Sequence, residues 1–255
     1  MENKKINKII IDLWQRNFSN DSKVYAPLFY GNFIKNSILF VGCNPAFSQV
    51  SFARILRGTE YEKIKPLSFF KWSNISKDWK NVEKLISIEK YAIEKYARFF
   101  GPLRNIAEEV KLPFQHADLF LYRQTSQREF YKRIFKKSKI NKFGLDQVDI
   151  FKKVINEAQP KIIVVANAFA SRVIQDKFKN LISNFDRKKG FHWFSLDNKR
   201  KIPIFFSSMI TGQRALDVYS RKRLGWHIGQ AVKYLKKGTM PKEQKITTPK
   251  VKRYK

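Results

Sequence analysis

The chain is poor in the residues that build disulfides, metal centres and acidic surfaces. Among 255 residues there is one cysteine, Cys43, and three scattered histidines, His116, His192 and His227. One cysteine excludes an internal disulfide, and the Cys and His positions offer no recognisable zinc-ligand spacing. The sequence therefore asks for no metal and no cofactor. No apolar run approaches the roughly 20 residues that a membrane helix needs. Met1-Glu2-Asn3-Lys4-Lys5 leads into a polar, periodic segment rather than the apolar stretch of a secretion signal. The expectation is a soluble, cytoplasmic monomer, nucleoid-associated if bacterial. Acidic residues are scarce as well: 21 Asp and Glu face 52 Lys and Arg, for a net charge of +31. A particle that basic repels itself until something negative neutralises it. The expected partner is a polyanion, with nucleic acid, DNA in particular, ahead of a membrane. A competing reading assigns part of the charge to the composition of an AT-biased genome, since Ile, Asn and Phe are abundant too.

What is present supports a folded chain. The 43% hydrophobic and 15% aromatic content rules out global disorder. Ile6, Ile9, Ile10, Leu13 and Trp14 have helical spacing and predict an amphipathic helix over residues 5–17. Near-continuous apolar runs predict buried strands over 37–41, 117–122, 161–166 and 202–206. Between them, helical patterns run from Tyr91 through Phe99 and Ile106 to Val110, from Val148 to Ile155 ahead of Pro160, and over 169–178. Strands alternating with helices predict an α/β fold, a three-layer sandwich around a central, mostly parallel four-stranded sheet. Ligands of such sheets bind beyond the carboxyl ends of the strands, which directs attention to the residues following each one.

Two stretches depart from the pattern. Residues 123–142 hold eight basic residues and one acidic one with Phe130, Tyr131 and Phe135 interleaved, and read as a helical insertion or a loop beside the strand ends. Residues 236–255 hold eight basic residues with little apolar content and read as a disordered tail. The expected organisation is one α/β domain over 1–235, followed by that tail.

The most informative segment is Ile38-Leu39-Phe40-Val41-Gly42-Cys43-Asn44-Pro45-Ala46-Phe47-Ser48. A glycine at a strand end permits close backbone approach, Asn44 carries an amide able to donate and accept, Pro45 fixes a turn, and Phe47 offers a ring for stacking. Read for structure alone, Asn-Pro after a strand is a turn signal. Here the sequence resembles the uracil-DNA glycosylase superfamily, whose mismatch-specific and single-strand-selective branches carry Gly-x-Asn-Pro after the first strand. The order of the following segments agrees: Ala117-Asp118-Leu119-Phe120, then Ile162-Ile163-Val164-Val165-Ala166-Asn167, then Ile204-Phe205-Phe206-Ser207-Ser208-Met209. The resemblance covers residues 36–235 by strand order rather than identity.

The resemblance implies a monofunctional DNA glycosylase that flips a modified or mismatched base and hydrolyses its glycosidic bond. Asn44 would orient water or stabilise the sugar cation, Phe47 would stack on the base, and Asp118 would read the base edge where the family has an asparagine. An ionised Asp118 only accepts, so it would favour donor-rich edges over uracil. Gly42, Pro45, Asn167, Ser207 and Ser208 complete the expected base pocket. The family's His-Pro-Ser after the last strand is replaced by Ser207-Ser208-Met209, so the usual stabiliser of the departing base is missing. That gap leaves a second reading open, a catalytically inactive nucleic-acid-binding or nucleotide-sensing module. Arg123, Gly212, Gln213, Arg214, Arg221, Lys222 and Arg223 are the expected DNA contacts; an Arg/Asp pair capping a helix is the structural alternative for Arg214 and Asp217. His116 reads as a hydrogen-bonded structural residue and His192 and His227 as packing residues, with His227 kept as a minor candidate for its closeness in sequence to residues 211–214.

Overall fold

The computed structural model describes residues 3–19, 21–212 and 215–238. Gln213, Arg214 and most of the expected tail lie outside them. In chain order the elements are α1 (Lys4–Phe18), β1 (Ile38–Gly42), α2 (Gln49–Leu56), α3 (Pro66–Phe69), α4 (Trp72–Ile75), α5 (Trp79–Lys95), α6 (Ala97–Glu109) and β2 (Phe114–Asp118). Next come α7 (Gln127–Ile134), a short hairpin of β3 (Phe135–Lys136) and β4 (Lys139–Ile140), and α8 (Lys142–Ala158). The chain continues through β5 (Ile162–Ala166), α9 (Ala168–Lys177), β6 (His192–Ser195), β7 (Lys201–Ser207) and α10 (Val218–Lys237).

The central sheet has the order β2-β1-β5-β7-β6. Its first four strands are parallel, and β6 pairs antiparallel with β7. The architecture is thus mixed α/β with helices on both faces, as expected, but with five strands rather than four. The extra strand is a four-residue edge whose residues are mostly only half-buried, so it lacks the apolar run that marks a covered parallel strand.

Burial on both faces explains the central strand. Ile38 and Phe40 of β1 point into a cluster with α6 and α10, which includes Leu103, Ile106 and Ile228. Leu39 and Val41 point into the opposite cluster with Leu13 and Trp14 of α1 and Phe151 and Val154 of α8. All four are at most 1% exposed. Residues 123–142 form α7 and the β3–β4 hairpin. No helix among the described residues is long and apolar enough to cross a membrane.

Two expected elements shift. The single helix expected from Tyr91 to Val110 is two, broken at Tyr96, which closes α5 and opens α6. Tyr96 leaves helical geometry with ψ at 69°, and Arg104 of α6 donates to the Ile93 carbonyl near the end of α5. The strand expected over 117–122 begins earlier, at Phe114, and ends at Asp118. Leu119, Phe120 and Leu121 are buried as connecting chain. Their apolar run marks burial rather than strand; Gln147 of α8 accepts from the Leu121 and Tyr122 amides with its Oε1.

Candidate base-binding cavity

Strand order reverses around β1, because β2 lies on one side of it and β5 and β7 on the other. At such a switch point the loops leave in opposite directions and open a crevice. A cavity of about 450 Å³ occupies it. The ends of β1 (Gly42 to Ala46), β2 (His116 and Asp118) and β5 (Ala166 and Asn167) contribute, as do Met209 and Thr211 after β7. Its walls are largely aromatic: Phe52 from α2, Tyr96, Phe99 and Phe100 from the α5–α6 corner, Phe130 and Tyr131 from α7, and Phe169 from α9.

Asn44 joins two of these loops. Its Nδ2 donates to the Gln124 carbonyl at 2.7 Å, while the Gln124 amide donates to the Pro45 carbonyl at 3.1 Å. Thr125 completes the seam, accepting from the Phe47 amide at 3.1 Å and donating to the Phe47 carbonyl at 2.7 Å. The amide nitrogen of Asn44 is therefore engaged in holding the β1 and β2 loops together. Its Oδ1 accepts no hydrogen bond among the described residues, leaving that atom for a ligand or water.

The floor of the cavity is ionisable. Asp118 is 6% exposed, yet its carboxyl accepts no hydrogen bond among the described residues; the nearest charged or titratable nitrogen is His116 Nε2 at 4.0 Å. Burial pushes Asp118 up to about 7 against the opposing pull of Arg123, with the Glu89 charge adding to the rise. The same burial pushes His116 down to about 4, so its ring is neutral at pH 7. Phe100 packs edge-on against that ring, centroids 5.2 Å apart. Gly42 makes the arrangement possible, since a Cβ there would overlap Asp118 Oδ1. An unpaired carboxyl so deeply buried is costly unless it is neutral or meets a partner. At neutral pH Asp118 therefore exchanges between an acceptor-only form and one that also donates, in contrast to the acceptor-only carboxylate expected from sequence.

Arg123 does not reach outward as a phosphate contact. It is 3% exposed, pairs through Nη2 with Glu89, donates through Nε to the Ala26 carbonyl at 3.2 Å, and lies over the Phe70 ring. Its Nη1 has no acceptor among the described residues, so Arg123 is a cavity-floor donor. Glu89, also in the cavity lining, sits above its usual range because burial outweighs Arg123. Its Oε2 has no hydrogen-bond partner among the described residues.

Other expected site residues distribute unevenly. Asn167 lines the cavity, but its Oδ1 caps α9 by accepting from the Phe169 and Ala170 amides at 3.0 Å. Pro45 belongs to the lining; Phe47 does not. The Phe47 ring is taken up by an aromatic cluster, packing against Tyr25, Phe52 and Phe70 with centroids 4.5, 5.7 and 5.1 Å away. Phe52 presents the cavity ring instead. Ser207 and Ser208 are half-buried outside the lining, and the Ser207 carbonyl accepts from Ser171 Oγ. Gly212 has φ +96°, a left-handed conformation that suits glycine. Arg221, Lys222 and Arg223 occupy the second turn of α10, whose N-cap is Asp217, accepting from the Tyr219 and Ser220 amides. Cys43 lines the cavity with its thiol pushed far up by burial, which disfavours the nucleophilic thiolate.

Sequence reasoning missed Glu89 and treated His116 as a hydrogen-bonded structural residue. A signal for Glu89 existed: Val82, Leu85, Ile86, Glu89 and Ala92 share the buried face of α5, so a carboxylate interrupts an apolar stripe. No protein-family model matches the chain, and no curated protein matches it at a significant level.

Proposed function

We propose that the cavity receives a flipped nucleobase and that the protein is a DNA-binding, glycosylase-like hydrolase of the N-glycosidic bond. The observation that carries this reading is Asp118: a deeply buried carboxyl with no hydrogen-bond donor among the described residues, on the floor of an aromatic-walled cavity, in the same lining as Asn44. Such a group needs a polar ligand edge, and flat apolar walls suit a heteroaromatic ring. Arg123 Nη1 offers a donor to a ring carbonyl, and Asp118 meets a ring N–H. In the reaction the bond between sugar C1′ and base nitrogen breaks, its electron pair leaves with the base, and water adds to C1′ and releases a proton that ends on the departed base. The free Oδ1 of Asn44 orients that water. The guanidinium of Arg123 and the proton held by Asp118 are the charge-stabilising groups for the departing base, a part for which the segment after β7 supplies no histidine.

The alternative is a binding module without turnover on the same fold. The engagement of Asn44 Nδ2 with the Gln124 carbonyl favours it, because half of that amide serves the loop seam. One experiment separates the two. Full-length protein is incubated with single-stranded and duplex oligonucleotides carrying varied modified bases, and abasic sites are cleaved with alkali. Strand breaks with any one base support the hydrolase; retention of intact oligonucleotide without breaks supports the module. Asp118→Asn is expected to shift selectivity toward uracil-like edges, and unchanged selectivity would remove Asp118 from base reading.

A further inference from the structure

Helix α10 has one face in the core and one that nothing among the described residues covers. Gly225, Ile228, Ala231 and Val232 are buried, the last three in the cluster that includes α6 and the interior strands. At 3.6 residues per turn, Tyr219, Lys222, Arg223, Trp226, Lys233 and Lys237 fall on a single outward stripe. Tyr219 is 77% exposed and Trp226 59%, among the largest exposures of any big hydrophobic side chain in the protein. The helix holds six basic residues and no acidic one. The two rings stand two turns apart, about 10 Å along the axis, with Lys222 and Arg223 between them. The stripe starts beside the cavity: the Leu216 amide, two residues before α10, donates to the Met209 carbonyl at 2.7 Å, and Met209 lines the cavity.

We propose that this stripe is a stacking track for single-stranded nucleic acid, leading an unpaired strand to the cavity rim. Bases stack on Tyr219 and Trp226, and Lys222, Arg223 and Lys233 meet the phosphates. The inference rests on the nucleic-acid reading above and adds the strand state. Stacking on a side-chain ring needs an unpaired base face, which a closed duplex hides within its own stack. A second copy of the chain fits poorly, because the stripe holds no acidic group for the basic face opposite. A bilayer fits poorly as well, since the continuous apolar side of α10 is in the core and the outward rings are separated by charge.

The test uses the full chain, a 20-nucleotide oligo-dT, a duplex of equal length and phosphatidylserine vesicles, read by tryptophan fluorescence and anisotropy. Oligo-dT is expected to quench the fluorescence, with most of the quenching lost in Trp226→Phe. Trp226→Ala is expected to weaken single-strand binding about 5- to 100-fold with little change for duplex. Trp226→Phe, which keeps a ring, is expected to retain most of the affinity. Equal losses for duplex and single strand, or binding without quenching, would overturn the track and leave the nucleic-acid reading standing. No binding to either nucleic acid removes both, and a blue shift on vesicles with no response to oligo-dT assigns the stripe to a membrane surface instead. Unchanged circular dichroism in each variant keeps these outcomes separate from misfolding.

Discussion

On the cavity floor, Glu89, Asp118 and Arg123 are each at most 6% exposed. Along α10, Lys222, Arg223, Lys233, Lys236 and Lys237 stand in solvent, and none of them is ion-paired among the described residues. Both regions are built from charge, but the physics differs. Buried charge is governed by desolvation and by a few fixed neighbours, so its effects are large, local and insensitive to salt. Exposed charge acts through a screened field whose reach at physiological ionic strength is about 8 Å, so its effects are small for the fold and collective for binding. A substitution should therefore reveal which region it belongs to by what it disturbs.

The largest disturbance is expected at the Glu89–Arg123 pair. Glu89→Ala or Arg123→Ala leaves the other charge buried without a counterion and should cost about 3–5 kcal/mol of unfolding free energy in guanidinium titrations. A loss below about 1 kcal/mol would mean that the floor is open to water and that the contrast with α10 is false. Gly42→Ala should come next, costing about 1–3 kcal/mol as its Cβ drives Asp118 out of place. If crystals of that variant kept Asp118 in position, the close approach would not be what requires glycine.

The pH dependence sharpens the same contrast. Folding raises Asp118 from 3.8 to about 7, so the stability it contributes is full below pH 3.8 and is lost as pH rises through 7. Folding lowers His116 from 6.5 to about 4, so its contribution is present above pH 6.5 and lost as pH falls through 4. Between those limits the two slopes oppose each other. Asp118→Asn removes the first and should gain on the parent protein by a few kcal/mol between pH 5 and 8, in urea titrations at matched ionic strength. Parallel pH profiles would show that Asp118 ionises freely. The smallest effect on stability belongs to α10. Lys222→Ala or Arg223→Ala should change unfolding free energy by less than about 0.5 kcal/mol, yet each should lower the salt slope of single-strand binding by about 0.7. A loss of stability with no change in slope would invert the comparison.

How much of this was legible in the sequence follows from the same distinction. The strands β1, β5 and β7 and the helices α1, α8 and α9 announce themselves through apolar runs and periodicity, because burial of whole elements writes a repeating pattern, whereas β2 carries no such run. Gly42 and Asn44 stand out by their position at the end of β1, whereas Asp118 enters only through the family resemblance; all three line one cavity. The broken helix at Tyr96 was not legible, since the apolar spacing continues across the corner and only the backbone angle at one residue differs. The place of Phe47 depends on partners distant in the chain, the rings of Tyr25 and Phe70 and the hydroxyl of Thr125, 78 residues away. The pairing of Arg123 with Glu89 spans 34 residues, and charge at position 123 reads the same in a sequence whether it faces phosphate or the core.

The place of β1 inside the sheet, between β2 and β5, has a consequence in time. Its backbone is bonded on one edge to β2 and on the other to β5, and both of its faces are covered. Amides in that position become accessible only when the sheet as a whole comes apart. In hydrogen exchange, Leu39 to Val41 should rank among the slowest positions in the molecule, while the exposed turns of α10 exchange early. Gly42 ends β1 and Asn44 stands two residues beyond it, so the residues that shape the cavity are tied to the part of the chain that opens last.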